Sequence, residues 1–199
     1  MKKNFSKLVL KAKYLIKRVF NLKSDLTKDV FFLLNKLEIK KPVLIDVGAY
    51  HGFWIENYIR FFPNLDAHLI EPFRDSFEVL KNRYRNNKNV KIYNLAFSNV
   101  SGQKKVNINT KAYTNSLLEL DSKAADSWQN DELKNLSKKN ITTVTIDEFA
   151  KKNNLKQINF LKLDVQGHES KVLEGAKELL ENKLIDFILL EVIVVPTYK

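Results

Sequence analysis

Cysteine is missing from all 199 positions. Its absence excludes disulfides, thiolate metal sites and cysteine nucleophiles, and with them methyl transfer to pyrimidine C5, which needs a thiolate to attack the ring. Glycine and proline are scarce, at 5 and 4, and no linker or internal repeat divides a chain whose length suits one domain. The first glycine turn reads Gly48-Ala49-Tyr50-His51-Gly52. Tyrosine stands where G-x-G-x-x-G has its second glycine, which disfavours a pyrophosphate-bearing dinucleotide. Acidic residues are fewer than basic ones, 23 against 34, for a net charge of +11. That charge raises nucleic acid or an anionic membrane as a partner. Much of it is general Lys and Asn enrichment, which counts against direct nucleic-acid work.

The basic start, Lys2 to Lys23, sets Leu8, Ala12, Leu15, Val19 and Leu22 on one helical face with Lys7, Lys11, Lys17 and Arg18 around it. Lys11 and Lys13 interrupt it, so it fails as a signal peptide and is too short and charged to span a bilayer. It is expected to pack on the domain or to lie on an anionic membrane surface. Leu26, Val30, Leu33, Leu34 and Leu37 continue at helical spacing and should cover the sheet beside the first strand. Residues 1–40 thus read as basic amphipathic helices, and 41–199 as the ligand-binding domain.

That domain is organised around Val43-Leu44-Ile45-Asp46-Val47-Gly48-Ala49-Tyr50-His51-Gly52. An apolar run suits a strand buried on both faces. It reaches Asp46 and breaks on two glycines before a helical pattern starts. Gly48 and Gly52 allow positive φ and a close ligand approach, and the next helix offers free N–H groups. A side chain at Gly48 would force an unfavourable backbone angle or fill space the ligand needs. About 20 residues on, Ala67-His68-Leu69-Ile70 ends on Glu71-Pro72, where an acid can accept from ribose hydroxyls. The two turns together predict an adenosine-type ligand without pyrophosphate. Strand three, Val90 to Leu95, ends on Ala96-Phe97-Ser98-Asn99, small and polar residues suited to lie beside adenine.

Beyond Gly102 the pattern is less regular. Lys105 to Ile108 alternates like an exposed strand, Asn115 and Ser116 lie in a polar loop, and Asp121 to Asn140 reads as an excursion with a short helix that covers the substrate. Thr142 to Val144 is a strand, and Thr145-Ile146-Asp147-Glu148 has the form of a capping box. Ile158 to Leu163 then delivers Asp164-Val165-Gln166-Gly167-His168-Glu169 to the rim that carries the glycine turn. Asp164 and His168 would sit over the transferred group, or Asp164 would cap the helix that runs on through Leu180. Ile185 to Val192 is the last strand.

The segments Asp46 to Gly52, Ile70-Glu71-Pro72, Asn115-Ser116-Leu117 and Leu161 to Glu169 together resemble the FkbM family of S-adenosylmethionine-dependent methyltransferases. The resemblance implies an α/β, Rossmann-like three-layer sandwich with a mostly parallel sheet, the class I methyltransferase fold. It implies S-adenosyl-L-methionine as cofactor, held by Asp46, Gly48, Tyr50, Gly52, Glu71, Pro72 and Ala96. Asn115 and Ser116 would meet the substrate, and Asp164 and His168 would be catalytic. The expected reaction is O-methylation of a hydroxyl on a sugar, glycolipid, polysaccharide or secondary metabolite. The rivals are an RNA methyltransferase and a non-catalytic binder of the donor. No metal ligand is assigned, although Mg²⁺ on Asp164 stays open. The expected place is cytoplasmic, with the basic N-terminal helix peripheral at the inner membrane face. Two departures stand out: Gln166 replaces the usual Glu of D-V-E-G-H-E, and the chain stops at Lys199 before the family's last helix and antiparallel strand pair, as an incomplete C-terminal end would.

Overall fold

A computed structural model of the chain describes residues 26–110, 114–121, 134–192 and 197–198. The Lys2–Lys23 helix and residues 122–133 of the expected excursion lie outside the described residues. The chain divides into two units, Met1–Ile39 and Lys40–Lys199. Of the first, helix α1 (Leu26–Lys36) is described, ending in Lys36, a cation suited to the negative end of a helix.

The second unit holds a five-stranded parallel sheet. Its strands are β1 (Val43–Val47), β2 (Asp66–Ile70), β3 (Val90–Tyr93), β7 (Ile158–Leu163) and β8 (Ile185–Leu190), in the order β3-β2-β1-β7-β8. The order reverses between β1 and β7, so the strand ends splay apart there and leave a crevice at their C-terminal rim. Both faces are apolar because helices cover both. Trp54 and Tyr58 of α2 (Phe53–Phe61) are one helical turn apart and stack on Phe160. On the opposite face Ile45, Val47, Leu161 and Leu163 pack with Phe149 of α4 (Ile146–Lys152), Val172 of α5 (Glu169–Glu174) and Leu179 of α6 (Lys177–Glu181). Helix α3 (Arg74–Tyr84) joins β2 to β3. The three-layer α/β sandwich expected from the sequence is present.

Four expectations need correction. Strand β3 stops at Tyr93, because the Asn94 side chain donates to the carbonyls of Glu71 and Pro72 (3.0 and 2.9 Å) and turns the chain away. Ala96–Phe97 becomes β4 of a second sheet, ordered β4-β6-β5, with β5 at Gly102–Asn109 and β6 at Asn135–Val144. The region that reads as irregular is therefore largely a β-ribbon. Asn135 to Asn140 are all exposed, so no apolar alternation marks them as strand. The helix after Asp164 is two helices, and the last strand ends at Leu190.

Candidate active site

The first turn is built by a cross-strand constraint. Gly48 has φ 75°, and a Cβ there would lie 2.0 Å from the Asp164 carbonyl oxygen. The group a Gly48 side chain would strike is thus the backbone leaving β7, so this glycine lets β1 and β7 end side by side. Gly52, φ 78°, starts α2, and its added Cβ would lie 2.8 Å from the Tyr84 ring, whose hydroxyl donates to the Gly52 carbonyl. Tyr50 between them also has positive φ, 48°, a strained setting for a bulky residue. Its backbone N–H donates to Glu71 Oε2 at 2.8 Å, and Phe73 N–H donates to Oε1 at 2.9 Å. The end of β2 is thereby tied to the glycine turn. Burial pushes the Glu71 carboxyl up to about 7, against the pull of those two amides.

These residues line one cavity. Gly48, Tyr50, Glu71 and Pro72 form one side, Ala96, Phe97, Val106 and Ile141 an apolar wall, and Asn115, Ser116, Asp164, Gln166 and His168 the far side. Asp46 and Gly52 are not in the lining; they support it from behind. Asp46 is fully buried and pairs across the sheet with Lys162 at 3.1 Å. Burial raises the Asp46 pKa and the Lys162 cation opposes the rise. Lys162 also reaches Asp164 Oδ2 at 3.2 Å, and its ammonium lies over the Trp54 ring.

Asp164 and His168 reach the cavity with separate partners. Asp164 Oδ1 accepts from Gln166 Nε2 at 3.1 Å. Its carboxylate thus meets side chains from both flanks, and the turn into α5 is closed instead by Glu169 Oε1, which accepts from Val165 N–H. His168 is buried; its Nε2 lies 3.0 Å from Ser98 Oγ, which accepts from Lys104 Nζ at 2.7 Å. Burial, with Lys104 and Lys171 nearby, lowers its pKa to about 4, so the ring is neutral at pH 7. His168 Nδ1 is buried without a hydrogen-bond partner, at a cost a native core rarely bears. Ser116 Oγ donates to the Gln166 carbonyl and Asn115 Oδ1 accepts from Asn109 N–H, which fixes the β5 edge against the Asp164 loop.

The family model for the methyltransferase FkbM domain matches residues 46–199. The chain belongs to the FkbM methyltransferase family. No curated protein matches it. The matched segment starts at Asp46 and contains every cavity residue, so the methyltransferase domain and the crevice at the strand-order switch are the same part of the chain. Among the described residues of this FkbM methyltransferase, no cluster of three or more His, Asp or Glu is placed to hold a metal ion, and no helix is long and apolar enough to cross a membrane.

Sequence reading set Ser98 beside adenine, whereas it is buried against His168 outside the cavity lining, and put Val106 in an exposed strand, whereas it is buried in the cavity wall; it gave no role to Lys162, Lys104 and Ile141. Lys162 carried a signal, a cation inside an apolar strand one residue from an acid, which marks a buried cross-strand pair. The others carried none, since β5 and β6 meet the first sheet only in three dimensions.

Proposed function

We propose that this domain transfers a methyl group from S-adenosylmethionine to a hydroxyl of a small molecule or glycan. The observation that carries the reading is the sharing of one cavity by Glu71, at the end of β2, and Asp164 with His168, at the end of β7. The residues fit the donor. Glu71 has accepting capacity left on both oxygens after its two amide bonds, the wall from Ile70 through Phe97, Val106 and Ile141 is apolar as an adenine face requires, and the rim acids suit a cation. When bound, S-adenosylmethionine supplies an electrophilic methyl on a sulfonium.

Glu71 would take the ribose hydroxyls, and the Gly48 turn would lie along the amino-acid part. Asp164, held by Lys162 and Gln166, is the group placed to take the hydroxyl proton, and His168 is neutral and able to orient the acceptor oxygen. An aliphatic hydroxyl is barely acidic, so its proton must leave as the new bond forms. Glycans, lipid-linked sugars and secondary metabolites present such hydroxyls. The test is incubation of the purified chain with methyl-labelled donor and fractionated cell extract, followed by mass identification of the product. A labelled hydroxyl is the expected result. Donor binding with no transfer to any fraction would leave a binding protein, and label in RNA would overturn the acceptor class.

A further inference from the structure

The ends of β7 and β8 lie side by side. Leu163 pairs with Leu190 in parallel register, and Glu191 N–H donates to the Leu163 carbonyl at 3.2 Å. Asp164 and Glu191 are therefore the first residues past two adjacent strands, and their carboxylates emerge on the same rim. One side chain bridges them. Gln166 Nε2 donates to Asp164 Oδ1 at 3.1 Å and to Glu191 Oε2 at 2.8 Å. The two carboxylates orient the amide, since turning it over would set Oε1 against both; the Tyr198 hydroxyl lies 3.2 Å from Oε1 and donates to the Thr114 carbonyl at 2.9 Å. The backbone of Gln166, at φ 56°, is held in the left-handed region, where strain persists only if the surroundings impose it.

We propose that Asp164 and Glu191, clamped by the Gln166 amide, act as one proton-sharing carboxylate pair on the acceptor side of the site, with exposed Glu191 as its arm toward solvent. The inference rests on the reading of Asp164 as base. As the hydroxyl oxygen bonds to the methyl carbon, the carbon–sulfur bond breaks and its electron pair stays on sulfur. The hydroxyl proton passes to Asp164, is shared with Glu191 and leaves to water. The groups facing the two carboxylates differ, apart from the Gln166 amide they share and the Tyr198 hydroxyl beside it. Lys162 lies on the Asp164 side, itself paired with buried Asp46. Burial first, then Asp164 and Glu169 of α5, push the Glu191 carboxyl above the usual range, while the Gln166 amide pulls it down. Two like charges so placed share a proton more readily than both ionise. Glutamine at 166 follows from this, since a carboxylate there would be a third acid between two.

The experiment is a pH titration of side-chain carboxyl carbons by NMR on the full chain, which needs no acceptor. In the parent protein Asp164 and Glu191 should each report the same two coupled steps. In Glu191→Gln the Asp164 signal should collapse to a single step, and in Asp164→Asn the Glu191 midpoint should fall. Gln166→Glu should move the upper step to higher pH. Independent single steps in the parent, unchanged in either variant, would overturn the pair. The two reciprocal variants report on each other, so one that fails to fold does not remove the test. Calorimetry with S-adenosylmethionine on the same samples separates the two readings: a coupled pair without donor binding defeats the methyl-transfer reading alone. With an acceptor from the extract screen, Glu191→Gln should lower kcat about tenfold and shift the acid limb to lower pH, while Glu191→Asp should restore part of the rate. A loss of stability with an unmoved acid limb would assign Glu191 a structural role and overturn the relay.

Discussion

At the residue scale Glu71 decides how the donor is held. Its carboxyl sits near 7 in the free protein, and hydroxyl donors favour the ionised form. Donor affinity should therefore rise as pH increases from 6 to 8, with proton release on binding at pH 6, measured by calorimetry in two buffers of different ionisation enthalpy. Glu71→Gln should flatten that dependence and weaken binding about tenfold to a hundredfold, since hydrogen bonds to a charged group contribute roughly 1.5–3 kcal/mol. An unchanged affinity would remove Glu71 from the donor site. Asp164→Asn tests the other side. The side chain keeps its shape beside Gln166 but loses its basicity, so kcat should fall about 10²–10⁴-fold with donor affinity nearly intact. Normal turnover of the folded variant would falsify the base. Gly48→Ala should act through the fold: its Cβ would meet the Asp164 carbonyl at 2.0 Å in a positive-φ setting, where backbone strain alone costs about 1–3 kcal/mol. A fall in the denaturant midpoint should accompany any loss of donor binding.

At the element scale the helices beneath the sheet are tied by caps that only part of the sequence announces. Thr145 Oγ1 accepts from Glu148 N–H at 3.1 Å, as a capping box requires. The return half runs through a third residue: Thr145 N–H donates to Ser101 Oγ, and Ser101 in turn donates to Glu148 Oε2. Asp147, an unremarkable acid in that box, caps a different helix. Its carboxylate accepts from Glu178 and Leu179 N–H at 2.9 and 3.1 Å, at the start of α6. Asp147→Ala should cost about 1 kcal/mol in chemical denaturation, within the usual range for a lost cap, and leave donor affinity unchanged. The β1 turn, the β2 acid and the β7 loop were legible because each is a local break in a run of apolar residues. Of the β5–β6 ribbon, only the short strands Lys105–Ile108 and Thr142–Val144 were, and not their pairing or the reach of β6 back to Asn135. Its exposed strand carries polar residues on both faces, and its pairing partner lies across a segment no periodicity spans.

At the scale of the whole molecule, burial moves acids and histidines in opposite directions. Asp46 and Glu71 are pushed up, and His68 and His168 are pushed down, each chiefly by desolvation. Glu71, raised from 4.5 to about 7, binds more protons folded than unfolded, so its contribution to stability is complete below 4.5 and is lost as pH rises through 7. His168, lowered from 6.5 to about 4, contributes fully above 6.5 and loses that contribution as pH falls through 4. The opposed slopes flatten the profile between those limits. Glu71→Gln should gain stability relative to the parent as pH rises from 5 to 7, and His168→Asn should gain as pH falls over the same range. Parallel denaturation curves at the two pH values for parent and variants would refute this assignment of the buried charges. The sequence by itself determined the parallel sheet, the glycine turn and the acids that end β2 and β7, because those follow from runs of neighbouring residues and from what glycine and proline allow. Tertiary structure alone decided that Asp46 turns from the cavity to Lys162, that His168 answers to Ser98 and Lys104, and that Glu191 stands beside Asp164. These depend on strand order and register, which bring together residues far apart in the chain, and on burial, which sets the charge each of them carries.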